Sequence, residues 1–371
     1  MDRKRNVWKA LAVLSFAFFV NCHGAEKKPL IQMAILLDTS GSMEGLINQA
    51  RSQLWTIVNE FASIKKTGER PELQVALFEY GNSGLPAGEG YIRLIVPFTT
   101  DLDRVSEELF ALRTNGGDEY CGWVIKDAAE KLKWSKSNGD YKVIFIAGNE
   151  PFTQGNVDYK ETCKSAIGKG IMVNTIHCGD YQTGVTSGWK DGADIADGVY
   201  ASIDQDKTVT YIEAPQDKSI AALGMELNKT YLAYGKAGDE GKKRQAEQEV
   251  NAATVSKESF VVRQVAKASA NYTNSGWDLV DALNEKSVRM EDIKEKDLPE
   301  EMKNMNEKQR WEYIKQMTQK RQDIQKKINA LNAEREKYLA KKRAESSGAE
   351  ALDEALIKAI RTQVRKRQFS I

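Results

Sequence analysis

Gln32-Met33-Ala34-Ile35-Leu36-Leu37-Asp38-Thr39-Ser40-Gly41-Ser42 joins a nearly unbroken apolar run to a short hydroxyl-rich loop. An apolar run of this length that ends in an acid fits a central parallel strand buried on both faces. Beyond the loop, Leu46, Leu54, Ile57, Val58 and Phe61 recur at helical spacing, so the unit is strand, loop, helix. Gly41 lets the loop turn without a Cβ in the way. Asp38, Ser40 and Ser42 then place one carboxylate and two hydroxyls at alternate positions, on the same side of a tight turn. Oxygen-only ligands suit Mg2+, with Mn2+ or Ca2+ as alternatives. With two neutral hydroxyls among the ligands, a bound ion would keep positive charge and seek an acidic side chain from a partner protein.

Outward from this unit, short β-rich runs alternate with amphipathic stretches. Strands are expected at 73–79, 91–97, 142–147, 171–178 and 199–203, and helices at 101–112, 121–132, 157–169, 189–197 and 218–231. This alternation predicts an α/β fold with a doubly wound, mostly parallel six-stranded sheet. The run 91–97, reached through the Gly/Pro-rich stretch 81–90, is expected to be antiparallel at an edge. Loops at the carboxyl ends of the strands form the expected binding edge.

From residue 236 the texture changes to Lys, Glu, Gln, Arg and Ala. The expected organisation is one domain at 31–235 and an all-α, partly coiled-coil region at 236–371. Its helices are placed at 241–270, 277–293, 297–343 and 352–367. In the third, Ile314, Met317, Arg321, Ile324, Ile328, Leu331, Arg335 and Tyr338 recur at spacings of three and four, as in a coiled-coil seam. The seam can serve a hairpin packed on Leu352, Leu356, Ile360 and Val364, or self-association with a second copy.

Residues 1–24 read as an export signal: Arg3, Lys4, Arg5 and Lys9 precede an apolar run from Ala10 to Val20. That run is too short to span a bilayer. Two cuts stand side by side: lipidation at Cys22, after Phe19-Val20-Asn21, or ordinary cleavage after Gly24. The protein is therefore expected in a bacterial periplasm, anchored by a lipid or secreted. Outside the cytoplasm two of Cys121, Cys163 and Cys178 can pair. A Cys163–Cys178 bridge would contribute about 3 kcal/mol in the chain-entropy picture.

The pattern Asp-x-Ser-x-Ser at Asp38, Ser40 and Ser42, behind its apolar strand, resembles the von Willebrand factor type A family. The resemblance covers roughly residues 31–235. It implies that family's Rossmann-like fold and its metal-ion-dependent adhesion site, completed by two further loops. In the second loop, Thr114-Asn115-Gly116-Gly117-Asp118-Glu119 offers Asp118 and, more weakly, Thr114. In the third, Gly148 stands where an aspartate belongs, leaving Asn149 or Glu150 to reach the ion.

Charge excludes other classes: 54 basic and 53 acidic residues leave a net +1, with no pull toward nucleic acid. There is no nucleophile elbow, phosphate-cradling glycine loop or His-Glu-x-x-His. His177 and Cys178 are adjacent in a strand and point to opposite faces. The expectation is a partner-binding protein and not an enzyme, with an envelope-tethered scaffold that oligomerises through its C-terminal helices without metal as the alternative.

Overall fold

In the computed structural model, residues 28–204, 211–344 and 352–370 are described. The expected signal segment 1–24, with Cys22, lies outside the described residues. The sheet is built from β1 (Leu30–Asp38), β2 (Glu72–Tyr80), β3 (Ile92–Thr99), β4 (Tyr141–Gly148), β5 (Met172–Cys178) and β6 (Tyr200–Ile203) in the order β3-β2-β1-β4-β5-β6. Only β3 runs antiparallel, at the edge beyond β2. β1 therefore lies in the interior between β2 and β4, which explains its continuous apolar sequence.

Alternation divides β1 between two cores. Ile31, Met33 and Leu37 face α1 (Glu44–Ser63) and α2 (Leu102–Ala111). Ala34 and Leu36 face α3 (Cys121–Lys131), α4 (Tyr159–Gly168) and, beyond the short α5 (Tyr181–Thr186), α6 (Trp189–Ile195). The same division corrects the expected Cys163–Cys178 disulfide. Both thiols, and that of Cys121, are free and buried. Cys163 on α4 belongs to one core and Cys178 on β5 to the other, so the sheet stands between them.

Helices then follow: α7 (Asp217–Asn228), α8 (Gly238–Val255), α9 (Lys257–Lys267), α10 (Leu279–Asn284), α11 (Glu307–Ala344) and α12 (Leu352–Lys366). The expected helix 241–270 is two helices. The break falls at Ser256, which is extended at φ −169° and caps α9 by accepting from the Ser259 amide. The expected helix 277–293 shortens to α10, and α11 begins ten residues after the expected start, behind short 3-10 turns.

The helical half is not a separate body in packing terms. One apolar core joins Met33, Leu54 and Phe61 to Val261, Val265, Ile328, Ile360 and Val364. α1 is thus covered by the sheet on one side and by α9 and α12 on the other. At the chain end, Lys65 and Ser370 exchange backbone hydrogen bonds of 2.8 Å in each direction. The Gln363 amide bonds Tyr141 and Asn174 at the foot of the sheet.

This arrangement gives the α11 seam a cover within the chain. Ile314, Ile324, Ile328, Arg321 and Arg335 are all buried within the chain, against α7, α9 and α10. α12 packs chiefly on α1 and β6, and its Ile360 and Val364 share one core with Ile324 and Ile328 of α11. Both seam arginines meet acids: Arg335 holds Asp217 at 2.7 Å, and Arg321 holds Asp278 and Asp281 at 2.6 Å each. Arg321 also lies 4.1 Å from the Tyr231 ring centre. A second buried network joins the halves: Arg263 on α9 bonds Asp103 on α2 and stacks over Trp55 on α1. Burial pushes its neighbour Lys267 down to about 8, against the pull of Glu249.

Removing one member of such a pair strands the other charge in the interior. Arg321→Ala is expected to lower the unfolding free energy by about 3–5 kcal/mol in urea titration. A loss below about 1 kcal/mol, the range of a surface pair, would contradict this packing.

Candidate functional site

Three loops meet at the carboxyl end of the sheet, after β1, before α3 and after β4. Backbone bonds stitch the first two together: Thr39 donates to Tyr80 O at 2.9 Å, and Asn115 donates to Thr39 O at 2.9 Å. Ser83 donates to Gly116 O at 2.6 Å, fixing the second loop to the end of β2. The first loop needs no ligand to hold its shape.

Its polar atoms are only partly used. Asp38 is fully buried, and its Oδ1 accepts the Ser40 amide at 2.8 Å. Its Oδ2 has no hydrogen-bond partner, nor has the buried Ser40 Oγ. Across the rim, Asn149 Nδ2 donates to Ser42 Oγ at 3.2 Å, while Asn149 Oδ1 is buried without a partner. Unsatisfied buried oxygens are costly and rare in folded proteins. Here three fall in one rim.

Electrostatics agree. Burial pushes the Asp38 carboxyl up to about 7, with Glu150 adding to the rise and the Ser40 amide opposing it. Glu119 is also raised to about 7, by burial first and then by Asp38 and Glu150. Asp38 and Glu119 therefore resist ionisation, and the rim favours a proton or a cation.

Glycines shape this space. A Cβ on Gly148 would stand 2.5 Å from Tyr80 Oη and 2.9 Å from Asp38 Oδ2. The room that an aspartate would need there is filled by Tyr80, whose hydroxyl donates to Ala147 O at 3.0 Å. A Cβ on Gly81 would lie 3.0 Å from Asp38 Oδ1 and 2.9 Å from Glu119 Cγ.

Asp38, Ser40, Ser42, Asn149 and Glu150 are thus brought to one rim. Thr114 and Asp118 are engaged elsewhere: Thr114 Oγ1 donates to Glu44 at 3.2 Å, and exposed Asp118 accepts from the Tyr120 hydroxyl at 3.0 Å. The inward acid of the second loop is Glu119, which the sequence reading passed over. Its amide donates to Gln154 Oε1 at 2.9 Å. Gly117 lies so close under Gly81 O that a Cβ would sit 2.4 Å away. The one signal in the sequence was the doubled acid after Gly116-Gly117. His177 was read as packing; it does pack, 5.8 Å from the Trp189 ring, and its Nε2 lies 3.2 Å from Asn149 O.

Among the described residues no three His, Cys, Asp or Glu side chains form a metal-holding group. An ion here would rest on hydroxyl and amide oxygens beside the carboxylates. The donor set is oxygen-only and holds acceptors without donors, which fits a hard divalent cation.

Residues 32–193 match the model of the von Willebrand factor type A domain. Solved structures similar to it include BatB from Bacteroides thetaiotaomicron, at 16% identity over 47% of this chain and 90% of that one, TM-score 0.36. Another is the vWF domain of the type V pili tip protein from Porphyromonas gingivalis, at 12% identity, 48% and 90% coverage, TM-score 0.36. A third is the pilus adhesin SpaC from Lactobacillus rhamnosus GG, at 15% identity, 48% and 28% coverage, TM-score 0.36. No curated protein matches the chain significantly.

The raised Asp38 carboxyl sets a sign for stability. Its folded value, about 7, lies above the unfolded one, so the metal-free fold holds the extra proton between about pH 4 and 7. Its contribution is complete below that window and is lost as pH rises through 7. Asp38→Asn cannot ionise and is expected to be more stable than wild type by about 1–3 kcal/mol at pH 8 in EDTA. The gain should shrink toward pH 4. Denaturant titrations at the two pH values check it, and a variant less stable at pH 8 would contradict the buried-charge reading.

Proposed function

We propose that the rim binds a protein partner through a divalent cation held by Asp38, Ser40 and Ser42, with Asn149 and Glu119 completing the set. The observation that carries this reading is the group of partnerless buried oxygens on Asp38, Ser40 and Asn149. When bound, the cation supplies a positive coordination point for a carboxylate on the partner.

The residues of the chain do the rest. Asp38 provides fixed negative charge at the end of the interior strand, held in place by the Ser40 amide. The Ser42 hydroxyl is oriented by Asn149, and the Asn149 carbonyl in turn lies against His177. Tyr80 closes the floor beneath Gly148, so the rim is open only outward. Nothing in this arrangement provides a nucleophile beside a base: Cys178 belongs to the core on the α1 face, and burial holds its thiol well above the usual range. The reading is a binding protein with no catalytic role.

The partner is proposed to lie outside the cytoplasm, reached by export through residues 1–24 with or without a lipid on Cys22. Among the described residues no helix is long and apolar enough to cross a membrane. Capture from a bacterial envelope extract tests both points. Wild type should retain a specific protein in millimolar Mg2+, release it with EDTA, and lose it in Asp38→Ala, while cytosolic extract gives none. Retention unchanged by EDTA and by Asp38→Ala would count against the metal-dependent reading.

A further inference from the structure

A cleft of about 740 Å³ opens far from the rim, where α1, α9, α11 and α12 meet. That volume is in the range of small-molecule sites. Five cations line it: Arg335, Arg343, Lys358, Arg361 and Arg365. Among the described residues the lining acids are Glu60, Glu258 and Glu336, so five positive against three negative charges leave an excess of two.

The acids are already engaged. Glu60 takes Arg361 in a two-pronged contact at 2.7 and 2.9 Å, and Glu336 takes Arg335 Nη1 at 3.1 Å. Arg335 is the decisive group, because only 2% of it is exposed. Its Nε is held by Asp217 at 2.7 Å, yet its Nη2 has no hydrogen-bond partner. A Glu258 carboxylate oxygen stands 4.0 Å from that nitrogen. A buried guanidinium donor without an acceptor costs free energy unless an acceptor arrives from outside. Asn59, which donates to Val262 O, adds polar lining on the α1 side.

We propose that this cleft is a binding site for a small phosphate-bearing anion, seated on Arg335 Nη2 and Arg365. Arginine forks match phosphate oxygens in geometry and charge. The concave shape selects a free anion over the flat surface of a bilayer. The site is independent of the metal rim, and its occupant would tie α12 to α1, α9 and α11.

The test uses pyrophosphate as probe on the full chain, in EDTA and at constant ionic strength. Calorimetric titration is expected to give saturable one-to-one binding, unchanged in Asp38→Ala. Arg365→Gln, at an exposed position, should weaken it about tenfold, and Arg335→Lys, which keeps a cation for Asp217, by at least as much. Circular dichroism checks that both variants fold. Flotation with phosphatidylglycerol vesicles forms the second arm. Absence of saturable binding, or binding unaltered in both folded variants, would overturn the proposal. So would vesicle binding without a pyrophosphate response, which would assign the basic surface to a membrane.

Discussion

A carboxyl group buried at the end of the innermost strand, with one oxygen satisfied and the other bare, constrains much of this structure. Asp38 can stand there only because the glycines at 81 and 148 leave room and the Ser40 amide holds one oxygen. Burial in this position raises its proton affinity, Glu150 raises it further, and Glu119 beside it is raised in the same way. A site that disfavours its own charge is prepared for a cation. The interior strand supplies the rigidity that such a site needs, since β1 is paired on both edges and packed on both faces.

The helical half contributes to that rigidity. α1 leads directly from the rim loop, and it is enclosed between the sheet and α9 and α12. Buried ion pairs fix these helices in register: Arg263 with Asp103, Arg321 with Asp278, and Arg335 with Asp217. Such pairs add little net stability compared with well-packed apolar residues, but each penalises a misplaced helix severely. The long, highly charged α11 is thereby docked by a thin row of side chains, with most of its surface in solvent.

The fold was legible where the hydrophobic pattern was long and local. The apolar run of β1, the antiparallel edge at β3 and the alternation of strands and helices all follow from composition and period. So does the α11 seam, but periodicity names a buried face without naming what covers it, and the cover proved to be α7, α9 and α10. The spacing of Cys163 and Cys178 carried no information about the sheet that separates them. Helix 277–293 was overcalled because its turns are set by Asp278, whose carboxylate caps α10, accepts the Leu232 amide and binds Arg321. At the rim, the positions of Asp38, Ser40 and Ser42 follow from their order behind β1, while Asn149 and Glu150 are alternatives drawn from the family resemblance. The choice between Asp118 and Glu119 does not follow from order, because it is made by Gly117 packing beneath Gly81.

The central claim concerns what satisfies the bare oxygens of the rim. A crystal grown in millimolar Mn2+, with data collected at the manganese absorption edge, tests it directly. The account predicts one anomalous peak at the rim, bonded to oxygens of Asp38, Ser40 and Ser42 at about 2.2 Å. An empty rim in that crystal, with Asp38 instead hydrogen-bonded to a protein donor, would contradict it.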